Sequence, residues 1–136
     1  MIDDLEIRQV LETELAAMTP ALATVHENEG GTPPAAGTPY QEVSLIPATP
    51  RNPEQGRFAQ LSGIFSVVLA YPVGLGPGDA AARAKAIRER FWRGLSLSDH
   101  GVTVTIENTP DVRPGFTDGG RWKVPVSIPY RADVTA

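Results

Sequence analysis

The sequence predicts an α+β domain, in which two helices pack on one mostly antiparallel sheet. Three observations predict it. Segments 3–18 and 79–93 repeat apolar residues at helical spacing. Segments 60–71, 102–107 and 121–131 alternate with the two-residue period of strands. The connections between them hold much of the proline and glycine, 13 of each in 136 residues. That length suits one domain with one core, so 1–136 is read as a single unit.

The first helix sets Ile7, Val10, Leu11, Leu15 and Met18 on one face. Asp3 or Asp4 can cap its start, and Thr19-Pro20 ends it. Leu22 to His26 reads as a short strand. Residues 27–38 then show neither periodicity nor a large apolar side chain, which predicts a long loop unable to order itself by burial. Tyr40 to Ile46 alternates weakly, with Val43 and Leu45 on one face. A second proline-rich loop covers 47–57. Residues 60–71 form the strongest strand: Phe65, Val67, Leu69 and Tyr71 point one way, Ile64, Val68 and Ala70 the other. Apolar side chains on both faces predict a central position.

After the turn at 72–78 comes the second helix, with Asp79 as its N-cap and Gly94 as its stop. Ala80, Ala84, Ile87 and Phe91 make its buried stripe, and Trp92 is expected to cover the stripe's border. Val102, Val104 and Ile106 form one face of a half-buried strand. Residues 108–120 read as a third loop. In the final strand Trp122, Val124, Val126, Ile128 and Tyr130 share a face. Pro125 and Pro129 have the same parity, so both missing N–H groups fall on one edge. Either this strand borders the sheet or the ladder is interrupted there. The predicted order is a helix, three or four strands, a helix, then two strands.

Composition narrows the function classes. The net charge of −4 argues against a general nucleic-acid binder. The absence of cysteine excludes disulfides, thiolate metal sites and a cysteine nucleophile. The opening Met1-Ile2-Asp3-Asp4 lacks the pattern of a secretory signal, and the longest apolar run, 67–71, is too short to span a bilayer. A soluble chain without a membrane partner is expected.

No constellation reads as an active site. Gly74-Leu75-Gly76-Pro77-Gly78 sits where phosphate-cradling loops sit, but Pro77 removes a donor, Asp79 opposes an anion, and no Walker lysine follows. A plain strand-to-helix turn is the better reading. Ser98-Asp99-His100 has the residue types of a hydrolase triad, yet three consecutive residues do not easily converge on one another. The two histidines, His26 and His100, lack metal-ligand spacing, and 111–118 lacks the order of a calcium loop. Neither an enzyme nor a cofactor is expected.

Charge is unevenly placed. From Met1 to Met18 the acids Asp3, Asp4, Glu6, Glu12 and Glu14 stand against Arg8 alone, while Arg83, Lys85, Arg88, Arg90 and Arg93 make the second helix basic. Solvated faces are the plain explanation. Complementary patches on neighbouring copies are the sharper one. Phe116 either anchors a docking loop or folds back on the core.

The order of several stretches carries a resemblance. His26-Glu27-Asn28 precedes the proline-rich loop and Thr38-Pro39-Tyr40. Then come Ser44-Leu45-Ile46-Pro47-Ala48-Thr49-Pro50, Gly63-Ile64-Phe65-Ser66-Val67, Tyr71-Pro72 with Gly74-Leu75-Gly76, Ile87-Arg88-Glu89-Arg90-Phe91, and Trp122 through Tyr130. In this order the chain resembles the phage tail-terminator-like family, although His26 stands where that family usually has an aromatic residue. The resemblance implies a non-catalytic subunit of a ring, commonly sixfold, that caps the tail tube at its head-proximal end. Its implied partners are copies of itself, the tail tube protein and a head-completion or neck protein. Its implied location is the virion, after synthesis in the host cytoplasm. Candidate contacts are our own inference from the residues: Arg83, Arg90, Arg93 and Phe116 for neighbouring subunits, and Glu27, Asn28, Arg51 and Arg57 on the two proline-rich loops for the tube. The alternatives are another neck adaptor, or a small anion-binding or enzymatic domain using the 74–78 turn.

Overall fold

The computed structural model describes residues 3–27, 32–35, 37–99 and 101–135. Its elements run α1 (Asp4–Ala16), β1 (Ala23–His26), β2 (Tyr40–Pro47), β3 (Phe58–Pro72), α2 (Gly78–Arg90), β4 (Ser96–Asp99), β5 (Val102–Ile106), β6 (Asp111–Val112), β7 (Phe116–Asp118) and β8 (Arg121–Thr135). The eight strands form one sheet in the order β1-β2-β3-β8-β5-β4, with β6 and β7 also paired to β8. Every pair is antiparallel except β1 with β2. The α+β expectation therefore holds, with more strands after α2 than the sequence predicts.

Both helices lie on one face of the sheet. Phe65 pairs with Ile128, Val67 with Val126 and Leu69 with Val124, so one parity of β3 and one of β8 build a continuous apolar surface. Ile7, Val10, Leu11 and Leu15 of α1, and Ala80, Ala84 and Ile87 of α2, bury against it. The alanines let α2 approach the strands closely. Asp3 caps α1 with a full capping box: it accepts from the Asp4 amide, and Glu6 accepts from the Asp3 amide at 2.8 Å. The start of α2 corrects the sequence reading. Its N-cap is Pro77, which makes no side-chain cap, and Asp79 sits inside the first turn, where its charge still suits the helix dipole.

The two prolines of β8 lie in a central strand, which resolves the choice left by the sequence. In an antiparallel strand each residue's N–H and C=O point to the same side, and neighbours alternate. The carbonyls of Pro125 and Pro129 accept from Arg113 and Glu107, both on the side away from β3. The missing N–H groups therefore face that side too. The β3 edge of β8 is free of prolines and pairs over all of Pro72↔Arg121 to Phe58↔Thr135. The other edge is served in pieces by β5, β6 and β7. The segment read as a third loop supplies two of these short strands, and β4, which the sequence did not mark as a strand, forms a hairpin with β5.

Tyr130 is the largest fully buried side chain, and its hydroxyl has no partner among the described residues. Burial, with the Asp4 carboxylate nearby, pushes its ionisation well above the ordinary tyrosine value. An unsatisfied buried hydroxyl costs more than its absence. Tyr130→Phe is therefore expected to raise stability by about 1 kcal/mol in urea denaturation. A loss of that size instead would mean that the hydroxyl has an acceptor.

Candidate assembly surfaces

Exposed apolar side chains gather at the end of the sheet where β3 hands over to α2. Gly74 and Gly76 adopt φ of 85° and 78°, which lets the chain double back over β8. The turn is thereby folded against Trp122 and Thr117, and together they line an apolar cleft with Pro72, Val73 and Pro77. Leu75 at its tip is 72 % exposed, and Phe116 on the neighbouring β7 is 46 % exposed. Phe116 thus presents much of its ring to solvent, against the expectation that it folds back on the core. The 74–78 turn offers an anion no more than two glycines at positive φ and a helix start whose N-cap, Pro77, makes no side-chain cap.

The same end carries a charged network on the helix-free face. Arg121 stacks on the Tyr40 ring at 4.5 Å from its centroid and donates to the carbonyls of Thr38 and Pro34. The described part of the 27–38 loop is therefore fastened by hydrogen bonds to its backbone, a device that its apolar content could not reveal. Glu42 accepts from the Tyr40 hydroxyl at 2.9 Å and lies 3.4 Å from Lys123, which also meets Asp118 at 3.2 Å. Those two carboxylates hold the Lys123 ammonium above its ordinary range despite partial burial, which acts the other way. Further along this face, Ser44, Ser66 and Ser127 fall in one cross-strand row. The face is half-buried and mixed in polarity, without a helix over it.

The predicted contact residues have separate fates. Glu27 ion-pairs with Arg8 of α1 and accepts from the Leu45 amide at 3.0 Å. That amide first, and Arg8 after it, holds the carboxyl below its usual range. Asn28 lies outside the described residues, as does His100. Arg51 and Arg57 are exposed on the connection between β2 and β3, where Arg51 makes a backbone bridge to Gln60. Arg90 meets Glu14 of α1 at 2.9 Å, so opposite charges of the two helices pair within one chain. Arg88 donates to the Pro110 carbonyl at 3.0 Å. Arg83 is buried. Arg93 is exposed, next to Trp92, which is 54 % exposed and not on the border of the core as the sequence suggested.

Other candidates are absorbed by the fold. Ser98 exchanges a hydrogen bond with Thr103 across the β4–β5 hairpin at 2.9 Å. His26, standing where an aromatic residue is usual, places Nδ1 3.2 Å from Oε1 of Glu12 in α1, without a hydrogen bond between them. Gln41 is buried on the helix-bearing side and donates to Thr24 of β1 at 3.0 Å, holding the one parallel pair. Sequence reasoning missed Gln41 and Arg121, whose roles depend on partners distant in the chain. Among the described residues no group of three or more acidic, histidine or cysteine side chains could hold a metal ion. No described helix is long and apolar enough to cross a membrane.

Comparison with known proteins follows the same lines. A search of curated proteins returns no match. One solved structure, whose name states no activity, is similar in fold: TM-score 0.74, 25% identity, covering 100% of this chain and 99% of the other. The family described as phage tail terminator protein matches residues 6–130, from the first turns of α1 to Tyr130 of β8. The chain therefore belongs to the phage tail terminator protein family, a structural family of the phage tail.

Proposed function

We propose that copies of this chain close head to tail into a ring, six to the turn, at the head-proximal end of the tail tube. The ring stops addition of tube protein on one face and receives a head-completion protein on the other. The observation that carries this reading is the family match across residues 6–130. Family membership gives a structural role in the virion tail among other tail components. The ring, its stoichiometry and the head-joining face are our extension of it.

The distribution of exposed apolar groups supports a head-to-tail ring. Such contacts bring together two different patches of each copy. Val73 and Leu75 lie just before α2, and Trp92 and Arg93 just after it. A helix of 13 residues separates them, on the order of 20 Å. In the ring, the 73–75 tip and Phe116 of one subunit meet Trp92 and Arg93 of the next. Arg90 and Arg83 are engaged within the chain by Glu14 and the Pro20 carbonyl and take no part in this proposed contact. Glu27, Asn28, Arg51 and Arg57 stand on the segments assigned to the tube.

Phage particles assembled without this protein provide the test. Electron microscopy is expected to show overlong tails, or tails unable to join heads. Tails of normal length joined to heads overturn the proposal.

A further inference from the structure

Pro72, Val73, Pro77 and Trp122 wall a cleft of about 200 Å³ at the β3–α2 corner, with Thr117 at one side. Its lining has no side chain at Gly74 and Gly76, where a Cβ would meet no atom within 4 Å. The space is open, apolar and wide enough for one aromatic side chain. Water in such a cleft finds few hydrogen-bond partners, so an apolar occupant is favoured. Leu75, exposed at the tip, adds to the apolar rim.

A side chain of the matching kind stands just past the far end of α2. Trp92 is exposed, and its backbone is fixed: its carbonyl accepts from the Leu95 amide at 3.0 Å, and the Gly94 amide donates to the Ile106 carbonyl at 2.8 Å. A rigidly presented indole loses little freedom on docking and buries on the order of 200 Å². Charge agrees with shape. Arg93 follows Trp92 directly, and Asp79 lies two residues past Pro77 of the cleft wall. Both are exposed, and neither has an ion-pair partner within 4 Å among the described residues. Within one chain the indole and the cleft do not meet, since the 13 residues of α2 hold them on the order of 20 Å apart.

We propose that the Trp92 indole of one copy seats in the 72–77 cleft of the next, against its Trp122 ring, with Arg93 of the first paired to Asp79 of the second. The inference rests on the head-to-tail ring and specifies the contact that closes it. Knob and cleft are different surfaces, and each copy carries one of each. The contact therefore passes from copy to copy in one direction. The ring-on-ring packing supplies most of the attraction, and the ion pair at the rim sets the register.

The natural chain has no cysteine, so two substitutions at exposed positions report the contact. A disulfide joins only residues whose Cα atoms come within about 7 Å. Chains carrying Asp79→Cys and chains carrying Arg93→Cys are mixed with oxidised glutathione, and the products are separated on a non-reducing gel. The mixed disulfide is expected to exceed either homotypic product about tenfold or more. A chain carrying both substitutions is expected to give a ladder of linked copies. Adding Trp92→Ala to the Arg93→Cys chain is expected to cut the mixed product about tenfold or more, since the indole is then the anchor that remains. Homotypic product equal to or above the mixed one overturns the proposal, and so does the absence of mixed product at millimolar chain. A mixed product unchanged by Trp92→Ala overturns it as well. These results stand apart from the fate of the ring. Overlong tails without mixed disulfide leave the ring standing on another contact; mixed disulfide beside tails of normal length keeps the contact and removes the role in tail length.

Discussion

Replacing Gly63 by alanine lowers the stability of the fold by about 3 kcal/mol, a fall in Tm on the order of 10 °C. Gly63 pairs with Pro47 on one side and Tyr130 on the other, on the helix-bearing face of the sheet. A Cβ built there would stand 2.3 Å from the Ile46 carbonyl oxygen, 2.9 Å from Pro47 Cα and 2.9 Å from the Tyr130 hydroxyl. Two of the three obstacles are backbone, and neither yields without moving β2 against β3. The third is a side chain with no open space to move into, since Tyr130 is fully buried. The methyl group therefore forces strand displacement. Differential scanning calorimetry checks the size of the effect. Adding Tyr130→Phe to the same chain removes only the softest of the three clashes, so a partial recovery is expected. A Tm within about 2 °C of the natural chain would falsify this account of the site.

Phe91→Ala costs about 3–5 kcal/mol, while Trp92→Ala, one residue on, changes stability by no more than about 0.5 kcal/mol. Size alone predicts the opposite order. Phe91 has no exposed surface and closes α2 by donating its amide to the Ile87 carbonyl at 2.9 Å. Its ring belongs to the cluster shared with Ile87 and the buried parities of β3 and β8. Truncating it leaves a cavity in a region without slack. Trp92 is 54 % exposed and packs outside that cluster. Its contribution is expected instead in the proposed ring, where Trp92→Ala weakens self-association in light scattering at a chain stability close to natural. Equal losses of stability in the two variants would contradict the burial assigned to these neighbours.

The strands and helices that carry the core were legible because their patterns are local. Phe65, Val67 and Leu69 lie in a strand-length run that is apolar on both faces, and Trp122 through Tyr130 alternate with polar residues and prolines over nine positions. The cap of α1 was narrowed to Asp3 or Asp4, and the structure chooses Asp3. β6 and β7 were not legible, because Asp111-Val112 and Phe116-Thr117-Asp118 are shorter than any periodicity can mark and are set among proline and glycine. They become strands only because β8 offers them hydrogen-bonding groups. Ser96–Asp99 went unmarked for a related reason: its residues are mostly polar, and only its partner β5 makes it a strand. The parity of Pro125 and Pro129 was read correctly, but which side of the strand they faced depended on partners that local pattern does not name. The surfaces were less legible still. A basic helix was visible. That Arg90 is taken up by Glu14, and Arg83 enclosed beside Pro20, follows only from how α1 and α2 converge on the sheet.

The long pairing of β3 with β8 has a consequence for how the chain reaches this fold. Pro72 and Arg121, which face each other at one end of that pairing, are separated by about 50 residues of chain, and the remaining pairs by more. The surface on which both helices come to rest is incomplete until this distant meeting has taken place. Loop-closure entropy is therefore spent before most of the hydrophobic gain arrives. Folding is paced by one non-local encounter, in the slow class of domains with high contact order, and the helices settle afterwards on a template that the two strands have already aligned.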